Sequence, residues 1–135
     1  MDKSIKLILL NAKNIVIIGA SANSDKESYK VMKFLKEKGF KVIPVNSQTS
    51  NETILGQKVY KDIDEVDIDI DIVNIFRPSS EILNLVNKIV NKKVKTVWLQ
   101  LEIFCNESKK KLNQLSINFI QNKCTKIEYE KLIKR

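Results

Sequence analysis

Residues 14–46, NIVIIGASANSDKESYKVMKFLKEKGFKVIPVN, decide the fold. Ile15-Val16-Ile17-Ile18 is a continuous apolar run, the pattern of a parallel strand covered on both faces. Gly19-Ala20-Ser21 follows it and leads into a polar loop. The spacing then predicts a helix over 28–38, with Val31, Met32 and Leu35 inward and Lys30, Lys33, Lys36 and Glu37 mostly outward. Gly39 is placed to stop that helix, and a second apolar run, Val42 to Val45, ends in Pro44-Val45-Asn46. This is one βαβ unit with a tight turn after its first strand. The chain has only three glycines, so one standing where a strand must turn beneath a ligand carries weight.

The rest of the chain repeats the alternation. Ser47 to Asn51 reads as a polar connection, Leu55-Gly56-Gln57 as a turn, Val59-Tyr60 as a brief extended piece, and Asp62 to Asp69 as an acidic loop. Asp71 to Phe76 is a strand ended by Arg77-Pro78. A helix capped by Ser79 or Ser80 comes next, with Ile82, Leu83, Val86, Ile89 and Val90 as its apolar stripe. Thr96 to Leu99 forms a further strand, Glu107 to Leu115 a helix, Ile117 to Ile120 a last strand and Ile127 to Ile133 a closing helix. Met1 to Lys13 reads as a short capping helix; its few apolar residues have no small-residue cleavage site behind them, so a signal peptide is not expected. The order predicts one α/β domain over 1–135, a doubly wound, mostly parallel sheet with helices on both faces. In such a sheet the crevice opens where the first strand meets the one ending at Phe76. The Gly19 and Arg77 turns should therefore face each other.

Composition removes several function classes. There is no histidine, which excludes His-based acid–base catalysis and His-rich metal sites. Cys105 and Cys124 make neither a metal spacing nor a disulfide framework, in keeping with a reducing, cytoplasmic setting. No apolar run reaches the roughly 18 residues of a membrane span. The net charge of +8 invites a nucleic-acid reading, but the basic residues are spread along the chain and the densest group, Lys109-Lys110-Lys111, has no aromatic residue among it. Such a charge serves equally to attract a small polyanion.

Gly19, Ala20 and Ser21 are the first candidates for chemistry. Exposed amides of this turn could hold phosphate oxygens, or the turn could be an ordinary βα connection. It departs from the dinucleotide fingerprint, having Ser21 and Ser24 at its second and third glycine positions. Strand two ends in Asn46, where an NAD site needs a carboxylate; a neutral residue suits a ribose that bears a phosphate, or simply caps a turn. Arg77 is the sole arginine before the C-terminal residue, fit to fork a phosphate or to pair with an acid in 62–71. Phe76 beside it reads as core or adenine platform. Trp98 and Gln100 end a strand at the same sheet edge, as core or as pocket lining. Lys26 and Ser28 precede the helix, within reach of a phosphate or as surface and N-cap.

In this order, Val16-Ile17-Ile18-Gly19-Ala20-Ser21, Ser28-Tyr29-Lys30-Val31, Lys38-Gly39-Phe40, Pro44-Val45-Asn46, Ile54-Leu55-Gly56, Asn74-Ile75-Phe76-Arg77, Val97-Trp98-Leu99-Gln100 and Cys124 with Ile127-Glu128 form a set that resembles the stand-alone CoA-binding domain family. These are Rossmann-like proteins related to the nucleotide-binding part of the α subunit of succinyl-CoA synthetase. The resemblance runs from about Asn14 to Leu132. It implies a five-stranded parallel sheet binding coenzyme A or an acyl-CoA through Gly19, Ala20, Ser21, Lys26, Ser28, Asn46, Phe76 and Arg77, with Trp98 and Gln100 completing the pocket. Lys26 stands where the family often has arginine, Ser47 where it has proline and Glu102 where it has glycine; near 115–117 a usual glycine is absent.

The expectation is a non-catalytic module binding a small nucleotide ligand, without nucleic acid or membrane, leaving a protein partner or a homo-oligomer open. The sequence shows no paired carboxylates brought to the crevice and no second domain for an acyl substrate. The alternative is an NAD(P)-dependent enzyme or a regulatory nucleotide-binding module. Cys124 is either an inert buried thiol or, near the thiol of bound CoA, a partner for a mixed disulfide under oxidation.

Overall fold

The computed structural model describes residues 2–133. Met1, part of the expected capping helix, lies outside the described residues, as do Lys134 and Arg135. The elements are α1 (Asp2–Asn11), β1 (Asn14–Ile18), α2 (Glu27–Glu37), β2 (Lys41–Val45), β3 (Thr53–Ile54), β4 (Gln57–Lys58), β5 (Ile70–Ile75), α3 (Ile82–Ile89), β6 (Val94–Leu99), α4 (Asn106–Gln114), β7 (Asn118–Ile120) and α5 (Thr125–Leu132). Short 3₁₀ turns cover Ile63–Glu65 and Ser79–Glu81. The five-stranded sheet has the order β2-β1-β5-β6-β7, and each of its pairings is parallel. The class, sheet and doubly wound order expected from the sequence are the ones found.

Two apolar layers cover the sheet. Ile15, Ile17, Ile72 and Trp98 pack with Val31, Met32 and Leu35 of α2 and with α1 and α5. Val16, Ile18, Val73 and Ile75 pack on the other face with Ile82, Val86 and Ile89 of α3 and Leu112 of α4. The alternation of β1 between these layers explains why Ile15 to Ile18 reads as an unbroken apolar run.

Two local expectations gain detail and two need correction. Thr53–Ile54 and Gln57–Lys58 form an antiparallel hairpin around Leu55 and Gly56, both at positive φ (51° and 76°), the backbone of a primed two-residue turn. Tyr60 lies beyond that hairpin and bridges Val45 in parallel, so the chain extends the main sheet just past β2. Neither Ser79 nor Ser80 caps α3: the chain enters through Pro78 and a 3₁₀ turn, Glu81 precedes the helix without a capping bond, and the Glu81 carboxylate is held by Arg77 instead. Leu83 does not join the buried stripe but faces solvent.

Candidate functional site

Loop geometry at the carboxyl ends of β1, β2 and β5 defines the site. The Phe76 amide donates to the Ile18 carbonyl (2.9 Å), and the Gly19 amide to the Val45 carbonyl (2.9 Å), so the three strand ends are tied together. Gly19 has φ +85°, and a Cβ there would lie 3.1 Å from both Arg77 Cδ and the Phe76 carbonyl oxygen. The Gly19 and Arg77 turns are thus in direct contact at the switch point. Asn46 stitches two loops together: its side-chain amide donates to the Ala20 carbonyl (2.7 Å) and its oxygen accepts from the Gln48 amide (2.7 Å).

Of the turn amides expected to hold phosphate, those of Ser21 and Ala22 stay free and that of Ala20 does not. The Gly19 and Ala20 amides are spent on the Val45 carbonyl, and Ala20 is fully buried. The Ser21 and Ala22 amides have no hydrogen-bond partner among the described residues; the Ser21 hydroxyl accepts from Asn23 (3.0 Å). At the start of α2, Lys26 offers no side-chain cap. The amides of Glu27, Ser28 and Tyr29 therefore point forward unpaired, where the positive end of the helix favours an anion. Ser28 is buried at this end and Lys26 is exposed.

Beside this turn, on the α3 face, lies a cleft of about 160 Å³. Ile18, Val45, Ile63 and Leu85 give it an apolar floor, and Lys61, Arg77 and Lys88 with Asp62 and Glu81 give it a charged rim. Arg77 forks Glu81 through Nε (3.0 Å) and a terminal nitrogen (2.7 Å), so its acidic partner comes from the 3₁₀ turn that follows it rather than from 62–71. Hydrogen bonds from Arg77 first, and its charge with them, hold Glu81 below the usual carboxylate range against a small cost of burial. Lys88 Nζ pairs with Asp62 Oδ2 at 2.5 Å. The Asp64 amide, then Lys88, lower the Asp62 carboxyl. A ligand the size of a drug fills about 300–1,000 Å³, so this cleft suits one portion of a long ligand.

Trp98 and Gln100 are not brought to the cleft. Trp98 is fully buried on the α2–α5 face and donates its indole N–H to the Lys123 carbonyl (2.8 Å). Gln100 Oε1 accepts from the Thr125 amide (3.1 Å), in a buried network that includes Asn74 and the Thr125 hydroxyl. Phe76 is half-buried against the same layer. Cys124, nearly buried, precedes α5 and is not among the cleft residues. A wider groove of about 360 Å³ opens at the opposite end of the strands, against α1, where Asp71 pairs with Lys95 (3.2 Å). It lies away from the carboxyl ends, where ligands bind in open α/β sheets.

Sequence reasoning missed Lys61, Asp62, Glu81 and Lys88. Glu81 was within reach, because i,i+4 spacing after Arg77 signals an ion pair on a helical turn. The other three come from two distant segments and carry no local signal. Among the described residues no cluster of His, Cys, Asp or Glu could hold a metal ion, and no helix is long and apolar enough to cross a membrane.

A parallel doubly wound sheet with a glycine turn, unpaired amides and a cationic cleft at its switch point is the arrangement of a Rossmann-like domain. The model of the CoA binding domain family matches residues 13–130, and the chain belongs to that family. It is 31% identical over 125 residues to the uncharacterized protein YneT of Bacillus subtilis, covering 93% of this chain and 91% of YneT. It is 36% identical over 93 residues to the alpha subunit of ADP-forming acetate–CoA ligase I of Pyrococcus furiosus, covering 66% of this chain but only 20% of that subunit. Among solved structures, cell-free ID.343 from Thermus thermophilus superposes with a TM-score of 0.94 at 26% identity, covering 98% of this chain and 99% of that one.

Proposed function

We propose that this protein is a non-catalytic binding module for coenzyme A or an acyl-CoA, acting as one unit over its whole length. The adenosine portion lies in the cleft over Ile18 and Val45. The pyrophosphate passes Gly19 and Arg77 toward the unpaired amides of Ser21, Ala22 and the first turn of α2. Lys26 and Ser28 stand beside that path, and the positive net charge draws the polyanion in. The observation that carries this reading is the contact of Gly19 with Arg77 next to the cationic cleft, in a chain of the CoA binding domain family.

The groups at hand support the non-catalytic reading. The cleft offers only two carboxylates, Asp62 and Glu81, and each is ion-paired and held in its charged form. Neither is tuned to exchange a proton near neutral pH. The ligase subunit that resembles this chain is more than three times its length, and the matched stretch is 20% of it.

Thermal unfolding with CoA, acetyl-CoA, NAD, NADP and ATP tests the assignment. A ligand present at about a hundred times its Kd adds about 2.7 kcal/mol, a rise of about 8–10 °C for a domain of this size. CoA and acetyl-CoA should give that rise. A rise with NAD alone, or with none of the five at millimolar concentration, refutes the assignment.

A further inference from the structure

We propose that the cleft reads the phosphomonoester on the ribose of its ligand through Lys61 and Lys88, and that Asp62 is the anion which that phosphate displaces. This rests on the cleft being the adenosine site. In a doubly wound sheet the sugar sits at the carboxyl end of the second strand. Here that end is Asn46, whose side-chain donor and acceptor are both satisfied within the protein. Asn46 therefore neither grips a ribose diol nor repels a phosphate. The charge comes from just beyond it. Tyr60 bridges Val45 in parallel and thereby lays Lys61 and Asp62 along the cleft, while Lys88 reaches in from α3. Lys88 is neutralised by Asp62. Lys61 donates only to the neutral Thr49 carbonyl. Arg77 is engaged at the Gly19 end with Glu81.

The rim therefore holds three cations against two carboxylates, and its excess charge lies on the sugar side. A phosphomonoester carries about −1.5 to −2 at neutral pH against −1 for a carboxylate. It outcompetes Asp62 for Lys88 and gains Lys61 as well. Ligands with a bare ribose leave the Lys88–Asp62 pair in place and gain nothing from Lys61. Both a 3′-phosphate, as in CoA, and a 2′-phosphate, as in NADP, supply this chemistry.

Titration calorimetry with CoA, dephospho-CoA, NADP and NAD against wild type, Lys61→Gln/Lys88→Gln and Asp62→Asn tests the proposal. CoA should bind wild type at least tenfold more tightly than dephospho-CoA, and added salt should shrink that ratio. The double lysine variant should bring the ratio close to one. Asp62→Asn, which keeps an N-cap acceptor for Asp64, should raise the affinity for CoA and not for dephospho-CoA. A cooperative ligand-free melting transition shows that the variants fold. If CoA and dephospho-CoA bind wild type equally, the proposal is overturned while the CoA assignment stands. If NADP alone binds, and its advantage over NAD vanishes in the double variant, the phosphate reader stands and the CoA assignment falls. If none of the four binds, both fall together.

Discussion

Gly19→Ala is the most informative single change, because its cost can be resolved into two parts. The first is conformational: at φ +85° an alanine is strained, at about 1–2 kcal/mol. The second is steric. The new Cβ would sit 3.1 Å from the Phe76 carbonyl oxygen and from Arg77 Cδ, and 3.3 Å from the Phe76 carbonyl carbon. The arginine methylene can swing aside. The Phe76 carbonyl cannot, since the amide of the same residue is bonded to Ile18, and Gly19 itself is pinned by its bond to Val45. Forcing a methyl into such a contact costs about 1–3 kcal/mol, which brings the total to about 2–5 kcal/mol. Gly39 provides the control. It has φ +96°, yet no atom lies within 4 Å of its Cβ position, so Gly39→Ala should cost only the conformational part. Urea denaturation of the two variants, at constant m, gives the difference directly. Gly19→Ala should be less stable than Gly39→Ala by at least about 1 kcal/mol, and it alone should lose CoA affinity by tenfold or more. Equal stabilities and equal affinities would refute the packing of the two turns and the path assigned to the pyrophosphate.

Arg77→Gln should leave stability within about 1 kcal/mol, because the Arg77–Glu81 pair is roughly 40% exposed, yet weaken CoA at least tenfold by calorimetry; unchanged affinity removes Arg77 from the site. Trp98→Phe should cost about 2–3 kcal/mol in denaturation, from the lost indole volume and the orphaned Lys123 carbonyl, with CoA affinity intact. Ser116 holds φ +58°, so Ser116→Gly should stabilise by about 0.5–1 kcal/mol, the relieved strain less the added chain entropy. Asp71 and Asp62 give the pH dependence. Burial pushes the Asp71 carboxyl up, but the Asn14 and Lys13 amides and Lys95 more than offset it, so its net shift is downward; Asp62 is lowered as well. Folded values below the unfolded value of about 4 contribute stability that is complete above that value and is lost as pH falls through the folded ones. Stability should stay flat above about pH 5 and fall below about pH 4, and Asp71→Asn should flatten that fall.

The βαβ unit was legible because three signals agree in it: an unbroken apolar run, a helical stripe and a glycine stop. The β3–β4 hairpin was not, since two-residue strands are too short to show a period. At α3, Ser79 and Ser80 looked like caps, but Pro78 and the Arg77–Glu81 fork set the entry instead. The meeting of Gly19 with Arg77 followed from the handedness of parallel crossovers, which needs only the element order. Trp98 and Gln100 show where that reasoning stops. Position at a strand end says which edge a residue occupies, whereas parity along the strand says which face. Val97 and Leu99 face α3, and Trp98 faces α5. The same limit hid Lys61 and Lys88, which lie on two segments that only the bridge from Tyr60 to Val45 and the packing of α3 bring to one rim.

The two halves of the proposed site lie on opposite faces of the sheet, and this makes Gly19 more than a turn residue. The loop after β1 leads to α2, whose unpaired amides belong to the Ile15–Ile17 face. The loop after β5 leads to α3, whose cleft belongs to the Val16–Ile18 face. A doubly wound sheet changes faces at this point alone. A ligand that uses both the helix amides and the cationic cleft must cross over the sheet edge between β1 and β5, directly above Gly19. Any side chain there would obstruct the crossing as well as the packing against Phe76. The buried bonds between Thr125 and both Gln100 and Asn74 serve the same geometry from behind, fastening α5 to the carboxyl ends of β5 and β6 and so holding that edge in place. Asn74 Nδ2, Gln100 Oε1 and the Thr125 hydroxyl are bonded to one another inside the protein, and the proposed recognition falls to backbone amides on one face and to exchangeable ion pairs on the other.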